Sequence, residues 1–590
     1  MRFLLLVAAL CLLAASAYLA CIFGPAPYAA VARLGHVAYF EDVPDGLLRL
    51  HLALTPGRYA AFRAGTWALL SGGLLGTLGL LGAAGGRREL RRLGREARRA
   101  GAALARTVRR LSGRERAAAG ALLLAILAVR LVWFFTDPPS PDEIASYDCF
   151  VREGPVAVAS FYPIPNNHVF YNFLAWGLAQ LVPGAPVRVV MRLPSLLVAT
   201  AGTALGYALL AHFRSFRVAT LVTALFGLTR VSIIYAASGR GYFLQFVCLQ
   251  LAFFAVVGLA TRHPYRRLAW AVFVGSSTVG LYAIPTYAAP LAALGLALLA
   301  AGGGFRPRHR RRFWGQLGLA GAIIGATALV LYAPVGCVSG WPRLLANRYL
   351  ASHAPADFWA TGRAYLYEAT GMLLGPVRPV LLLGAALLGL TPWLLARARL
   401  PARSRWLAWA SWALLAAPPV LMLARHVFIP ARVLMYTTYF VYLLLVLGAD
   451  FAATRWRGHR AAWVPLGLLG ALLAFRVAEL GPQLPVVRHS RAVDRAVARS
   501  YRWLRAQPPG PVFLSAMYHE IMFYHYALLG HQPLTLDVKP APGVRYRYWV
   551  WAKGQTAPPP AWALALPHRV AYEDPTTIIY TLDAPPAGAR

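Results

Sequence analysis

Thr136-Asp137-Pro138-Pro139-Ser140-Pro141-Asp142-Glu143-Ile144-Ala145-Ser146-Tyr147-Asp148 follows directly on an apolar run, Ala117 to Phe135, that reads as a membrane helix. Four carboxylates, Asp137, Asp142, Glu143 and Asp148, therefore gather where a helix leaves the bilayer. A charge this close to hydrocarbon is costly unless it is paired, hydrated or used. The three prolines stop the helix and impose a turn. Asp142 and Glu143 then open a new amphipathic segment, where N-terminal carboxylates suit the helix dipole. The stretch reads either as a solvated acidic cap at the membrane surface or as a functional carboxylate cluster.

The rest of the chain sets the class. Of 590 residues 58% are hydrophobic and only 14% charged, with a mean hydropathy of +0.53. These values describe a polytopic membrane protein. The formal net charge of +38 comes almost entirely from arginine, since the only lysines are Lys539 and Lys553. The arginines fall between apolar runs, so they argue topology and not a nucleic-acid partner. Cys11, Cys21, Cys149, Cys248 and Cys337 are scattered, without metal spacing or a disulfide framework.

Arginine density orients the chain. Arg2 and the run Phe3 to Phe23 form a signal peptide or an anchor. Ala-Ser-Ala at 15–17 is a passable cleavage pattern, but the run continues past it, which favours a retained anchor. A polar loop, 24–61, carries Glu41, Asp42 and Asp45, and a second span covers Phe62 to Ala84. The segment Arg87 to Arg116 is dense in arginine, with Glu89, Glu96 and Glu115 its only acids. The positive-inside rule makes it cytoplasmic; it would also suit anionic lipid headgroups, although topology alone accounts for it. The helix Ala117–Phe135 then runs outward, and residues 137–189 form a structured outer loop. In that loop Ser146 to Phe161 is expected as a surface helix, 163–168 as a turn, and Val169 to Val182 as an apolar segment too short to span.

An inward helix begins near Arg192 and ends at 212–217. Further spans are expected at 218–237, 242–261, 267–285, 287–303, 314–335, 372–396, 406–424, 432–449 and 461–480. The basic connectors 262–267, 306–312, 397–405 and 455–460 all fall inside, in agreement with one orientation. The expected organisation is an α-helical polytopic protein of about thirteen transmembrane helices. Residues 1–116 hold two spans and the arginine-rich segment, 117–481 the membrane core, and 482–590 a small extracytoplasmic α/β domain. In that last domain Ser490 to Arg505 reads as a helix. Pro511 to Ser515, Tyr546 to Trp551 and Thr576 to Leu582 read as strands.

Polar groups expected on the outer face are few. They are Asp137, Asp142, Glu143, Asp148, Asn166, Asn167, His168, Arg240, Tyr242, Arg348, His353, Asp357, Glu368, Arg425, His426 and Arg432. Most lie near a helix end and would ring one vestibule. Four short motifs occur among them in order: Pro141-Asp142-Glu143, Pro165-Asn166-Asn167-His168-Val169-Phe170-Tyr171, Arg192-Leu193-Pro194-Ser195 and Ser238-Gly239-Arg240-Gly241-Tyr242. Together they resemble the bacterial family 39 glycosyltransferases, which share the GT-C membrane fold with the protein O-mannosyltransferases and the aminoarabinose transferase of lipid A. The resemblance covers 117–305 and continues faintly to 450 through Ile429-Pro430-Ala431-Arg432-Val433. It does not reach the first two spans or the C-terminal domain.

The resemblance implies an enzyme of a bacterial inner membrane; the arginine distribution and the odd count of spans put its N-terminus in the cytoplasm and its C-terminal domain outside. It implies a polyprenyl-phosphate sugar donor, an extracytoplasmic lipid, glycan or protein acceptor, and an acidic first-loop residue acting on that acceptor. The residue maps to Asp142, with Glu143 beside it. Inverting transfer needs a base opposite the leaving group, and the departing phosphate needs cations. Arg240 and Arg432, with Tyr242, are the expected donor-phosphate groups; Asn167, His168 and Asp148 are expected at the substrates. No cofactor is required by the residues. A divalent metal stays open, with Asp142, Glu143 and His168 as its ligands.

Two other motifs fail. His519 and His525 are too far apart for HExxH, and no Gly-rich phosphate loop follows a strand. The competing class is a transporter or flippase for a lipid-linked sugar. It calls for ionisable residues in mid-span. Arg230 and Arg476 are the main ones, neither with an acidic partner expected within its span. A membrane scaffold would not need Asp142, Glu143 and Arg240 together.

Overall fold

The computed structural model describes residues 1–36, 54–345, 352–375, 378–397, 400–455, 464–530, 534–537, 543–555 and 558–582. Among them, nine helices are long and apolar enough to cross a membrane, and the chain is a multi-pass membrane protein. They include Arg2–Phe23, Pro56–Gly82, Gly113–Thr136, Val187–Phe213, Tyr242–Ala260, Ala402–Arg425 and Ala431–Arg455. A tenth is counted if Phe216–Gly227 and Arg230–Ala236, bent by 75° at Thr229, form one broken span. The expected thirteen are not all found. Arg266–Ala283 is helical but carries two arginines and the polar run Ser276 to Thr278. The 372–396 run divides between Pro355–Leu374 and Arg378–Arg397, the first ended by Gly375 at φ 86°. Only Val464–Ala478 of the last span is helical among the described residues. Arg348, Glu41, Asp42, Asp45 and the Arg455–Arg460 connector beyond Arg455 lie outside them.

Tyr242–Ala260 is the central helix, with nearly nine-tenths of its apolar window buried. It packs against Val187–Phe213, Arg266–Ala283, Ala288–Gly303 and Ala402–Arg425. Outer helices turn leucines to the lipid instead, as Leu75 on Pro56–Gly82 and Leu124 on Gly113–Thr136 do. Arg130, in mid-helix and buried, hydrogen-bonds to two other helices, Val187–Phe213 and Arg230–Ala236, through neutral groups. Its guanidinium donates to Ala199 O at 3.1 Å, Thr203 Oγ1 at 3.0 Å and Ser232 Oγ at 3.1 Å. It also lies 5.0 Å from the Phe243 ring centroid.

Past Thr136 the chain forms three short turns of helix, not one surface helix. They are Pro141–Ser146, a π turn Tyr147–Val151, and Pro155–Ser160. Cys149, Phe150, Ala157, Val158 and Phe161 are buried in one apolar core with Leu19 and Ile22 of the first helix and Tyr332 and Val335 of Pro307–Val335, a core that continues to Leu514 and Phe523 of the C-terminal region. Val169–Leu181 is a short helix, as expected.

The C-terminal region opens with Gln483–Arg505 and contains a five-stranded sheet. Its strands are β1 Val512–Leu514, β2 Leu536–Asp537, β3 Tyr548–Ala552, β4 His568–Glu573 and β5 Thr577–Leu582. The order is β2-β1-β3-β5-β4; β1 runs parallel to β2 and β3, and β5 runs antiparallel to β3 and β4. The helix Met517–Leu529 lies between β1 and β2 in the chain and packs on Pro141–Ser146. The sheet region thus sits against the acidic stretch.

Candidate active site

The adjacent carboxylates of Asp142 and Glu143 have opposite surroundings. Ser140 is the N-cap of Pro141–Ser146, and Glu143 closes a capping box with it. Glu143 is buried and receives Arg192 Nε at 2.8 Å and Nη2 at 2.7 Å. The Gly239 amide donates to it at 2.5 Å. Burial pushes the Glu143 carboxyl up, but the Arg192 charge and these hydrogen bonds outweigh it and hold the group below the usual carboxylate range. Arg192 also donates to the carbonyls of Asp137 and Pro138, both at 2.8 Å, and so ties down the proline turn. Both Glu143 oxygens are thus engaged by the protein, whereas its expected role is that of a carboxylate beside the base. The S-x-x-E spacing of Ser140 to Glu143 was the available signal.

Asp142 points the other way. Its side chain is 52% exposed and lies 3.7 Å from Arg240 Nη2 and 3.9 Å from Arg432 Nη1. Arg240 is buried and braced: Nη1 donates to Asp142 O at 3.2 Å, Ser146 Oγ at 2.9 Å and Asn166 O at 3.4 Å. Its Nε has no hydrogen-bond partner. The glycines of the 238–242 motif let the chain pass close. A Cβ on Gly239 would stand 2.7 Å from Met191 Cβ, and one on Gly241 would stand 3.2 Å from the His168 ring.

His168 is fixed by the Gly241 amide, which donates to Nδ1 at 2.8 Å. Burial, and then the charges of Arg240 and Arg432, keep the ring neutral by pushing its pKa well below the ordinary value. A neutral ring that accepts at Nδ1 carries its proton on Nε2. Nε2 lies 3.3 Å from Arg240 Nη2. Two donors therefore face one another, a geometry that an acceptor atom between or beside them would satisfy. Tyr242 packs edge-on to His168 with centroids 4.8 Å apart. His168, Tyr242, Tyr162, Pro285 and Arg432 line a cavity of ≈ 50 Å³.

Other expected site residues lie elsewhere. Asn167 is buried and donates to Val158 O at 2.9 Å and Phe161 O at 2.8 Å, while accepting from Asn172 at 2.9 Å. It staples the loop. Asp148 is fully buried and paired at 3.0 Å with His525, from the helix of the failed metal motif. Expected at the substrates, it here joins the acidic stretch to the C-terminal region. His353 and His426 meet each other, His353 N donating to His426 O at 2.8 Å. Arg476 pairs with Glu479, an acidic partner the sequence reading did not find. Among the described residues, no group of three or more His, Cys, Asp or Glu could hold a metal. Asp142, Glu143 and His168 do not assemble as a ligand set, because Glu143 binds Arg192 and His168 Nδ1 is taken by Gly241.

No family model matches the sequence, and no curated protein matches it. Solved structures similar to this chain include ArnT from Cupriavidus metallidurans bound to undecaprenyl phosphate, at 13% identity and a TM-score of 0.48, covering 79% of this chain and 99% of that one. The apo state of ArnT gives 14% identity and a TM-score of 0.42, covering 78% and 98%. The arabinosyltransferase EmbB from Mycobacterium smegmatis gives 11% identity and a TM-score of 0.39, covering 80% of this chain and 44% of that one.

Proposed function

We propose that the chain is an integral membrane glycosyltransferase that moves a sugar from a polyprenyl-phosphate carrier to an extracytoplasmic acceptor, with inversion at the anomeric carbon. The observation that carries the reading is one exposed carboxylate, Asp142, held between two guanidiniums, with the neutral His168 Nε2–H beside them. The family 39 resemblance of the same four motifs points to the same place.

In the proposed reaction the acceptor oxygen attacks the anomeric carbon and forms the new glycosidic bond. The bond from that carbon to the phosphate oxygen breaks, and its electron pair leaves with the polyprenyl phosphate. Asp142 takes the acceptor's proton. Arg240 and Arg432 offset the charge on the departing phosphate, and His168 Nε2–H donates to one of its oxygens. Arg240 is held by Ser146, Asn166 and the Asp142 carbonyl, so it need not reorganise as charge develops. Glu143 and Arg192 position Asp142 by closing the turn and do not touch the substrate.

The test is lipid-linked sugar profiling of a deletion strain, followed by assay of the purified chain in nanodiscs. One polyprenyl-phosphate sugar should accumulate in the strain, and the purified chain should release polyprenyl phosphate from it. An unchanged lipid-linked sugar pool, together with no release from any such donor, rejects the proposal.

A further inference from the structure

At the other end of the central helix, where the basic connectors lie, a second charged cavity has no part in the proposed chemistry. It measures ≈ 450 Å³ and is lined by Arg262, Arg266, Arg306, Arg312, His309 and the aromatic walls Phe305 and Phe313. Its four arginines come from two neighbouring places in the chain: Arg262 and Arg266 just before and at the start of Arg266–Ala283, and Arg306 and Arg312 at the N-terminal end of Pro307–Val335. Arg262 stands at φ 54°, in the left-handed region that a non-glycine residue seldom adopts, and its guanidinium lies 4.3 Å from the Phe305 ring centroid. Arg306 is the N-cap of the 29-residue helix Pro307–Val335, which has no side-chain cap. First-turn amides and the positive end of the dipole therefore add to the field in the cavity.

Topology alone calls for positive charge at this end of the bundle but not for its convergence. Nearby arginines do have acids: Arg267 pairs with Glu89 at 2.5 Å and Glu96 at 3.1 Å, and Arg214 with Asp450 at 2.5 Å. Among the described residues, no carboxylate pairs with any of the four cavity arginines, and Arg262 and Arg312 add like charge beside Arg266. Converging, uncompensated guanidiniums fit the oxygens of a phosphate group. Basic pockets between membrane helices take acidic phospholipid headgroups, and the two phenylalanines give glycerol or acyl carbons an apolar wall.

We infer that this cavity is a binding site for a phosphate-bearing anion, with an acidic phospholipid headgroup as its occupant in the membrane. The inference does not depend on the glycosyltransferase reading. The test uses the full chain in nanodiscs of phosphatidylcholine, with and without phosphatidylglycerol, and counts retained lipids by native mass spectrometry. The pocket double variant Arg266→Gln/Arg306→Gln is compared with Arg308→Gln/Arg311→Gln, which removes the same charge from exposed positions of the same region outside the cavity. The pocket variant should bind phosphatidylglycerol about tenfold more weakly or worse, and the control variant should change little. Arg312→Gln alone serves if the double variant is not monodisperse.

Inorganic pyrophosphate titrated into neutral nanodiscs separates the two sources. Saturable binding lost in the pocket variant would support the phosphate site and assign it to a soluble ligand. Equal losses in both double variants, or none in either, overturn the inference and leave the arginines as topology determinants.

Discussion

The helix Tyr242–Ala260 has an arginine site at each end, separated along 19 residues by roughly 28 Å. At the Asp142 end each guanidinium has defined company. Arg192 is matched by Glu143, and Arg240 is braced by a hydroxyl and two carbonyls, with Asp142 in reach. At the Arg262 end four guanidiniums surround an open cavity, and among the described residues no carboxylate answers them. A site where charge must appear and leave within one reaction needs fixed donors balanced by acids. A standing positive potential suits an anion that stays. On the proposed function and the inferred anion site together, the same residue type serves transient charge at one end and resident charge at the other.

The largest expected effect breaks the balance at the Asp142 end. Glu143→Gln leaves buried Arg192 with only Asp137, at 4.0 Å, as a charged neighbour, and removing one member of a buried pair costs about 3–5 kcal/mol. Thermal unfolding in detergent should show it. Asp142→Asn, at an exposed helix start, should cost less than about 1 kcal/mol. Equal losses for the two would mean that the surroundings of the two carboxylates do not differ as described.

Next in size is Arg240. Arg240→Ala removes charge-assisted bonds worth about 1.5–3 kcal/mol, so donor binding should weaken by roughly ten- to a hundredfold. Arg240→Lys restores charge without the fork and should recover part of that loss. Donor titration in nanodiscs measures both. Parental binding by the alanine variant would reduce Arg240 to a brace for Ser146 and Asn166.

A further effect appears only on acidification and lies in the C-terminal sheet that backs the Asp142 end. Burial pushes His519 down to about 4, while Asp574 acts weakly the other way. Its ordinary value is 6.5. Below pH 6.5 the unfolded region therefore binds a proton that the folded one excludes. The contribution is present above pH 6.5 and is lost as pH falls toward 4. Amide exchange in β5, where Thr577 contacts His519 at 2.9 Å, should quicken across that window. His519→Asn should remove the dependence.

Much of this architecture was legible in the sequence, for physical reasons. Spans declare themselves by length and apolarity, and in so apolar a chain the few polar groups at helix ends stand out, as Asp142, His168, Arg240 and Arg432 did. Glu143 was misread although its capping-box spacing to Ser140 is local. Asp148 could not be read, because its partner His525 lies 377 residues away, across an interface formed only on folding. The surface helix expected at 146–161 is buried for a similar reason, its apolar face being covered by Arg2–Phe23, Pro307–Val335 and Val169–Leu181, elements distant in the chain or placed only on folding. Arg130 sat in plain view inside a spanning run, but its partners Thr203 and Ser232 come from other helices. The spans at 218–237 and 372–396 show that composition does not reveal where a helix bends or stops.

The central claim is that Asp142 is the base of sugar transfer. The direct measurement is single-turnover transfer in nanodiscs by Asp142→Asn, with donor binding and thermal stability measured on the same sample. Losing a general base typically costs about 100- to 10,000-fold in rate. The account predicts a loss of that order, with donor binding and stability close to those of the parent. Transfer by Asp142→Asn at the parental rate would contradict it.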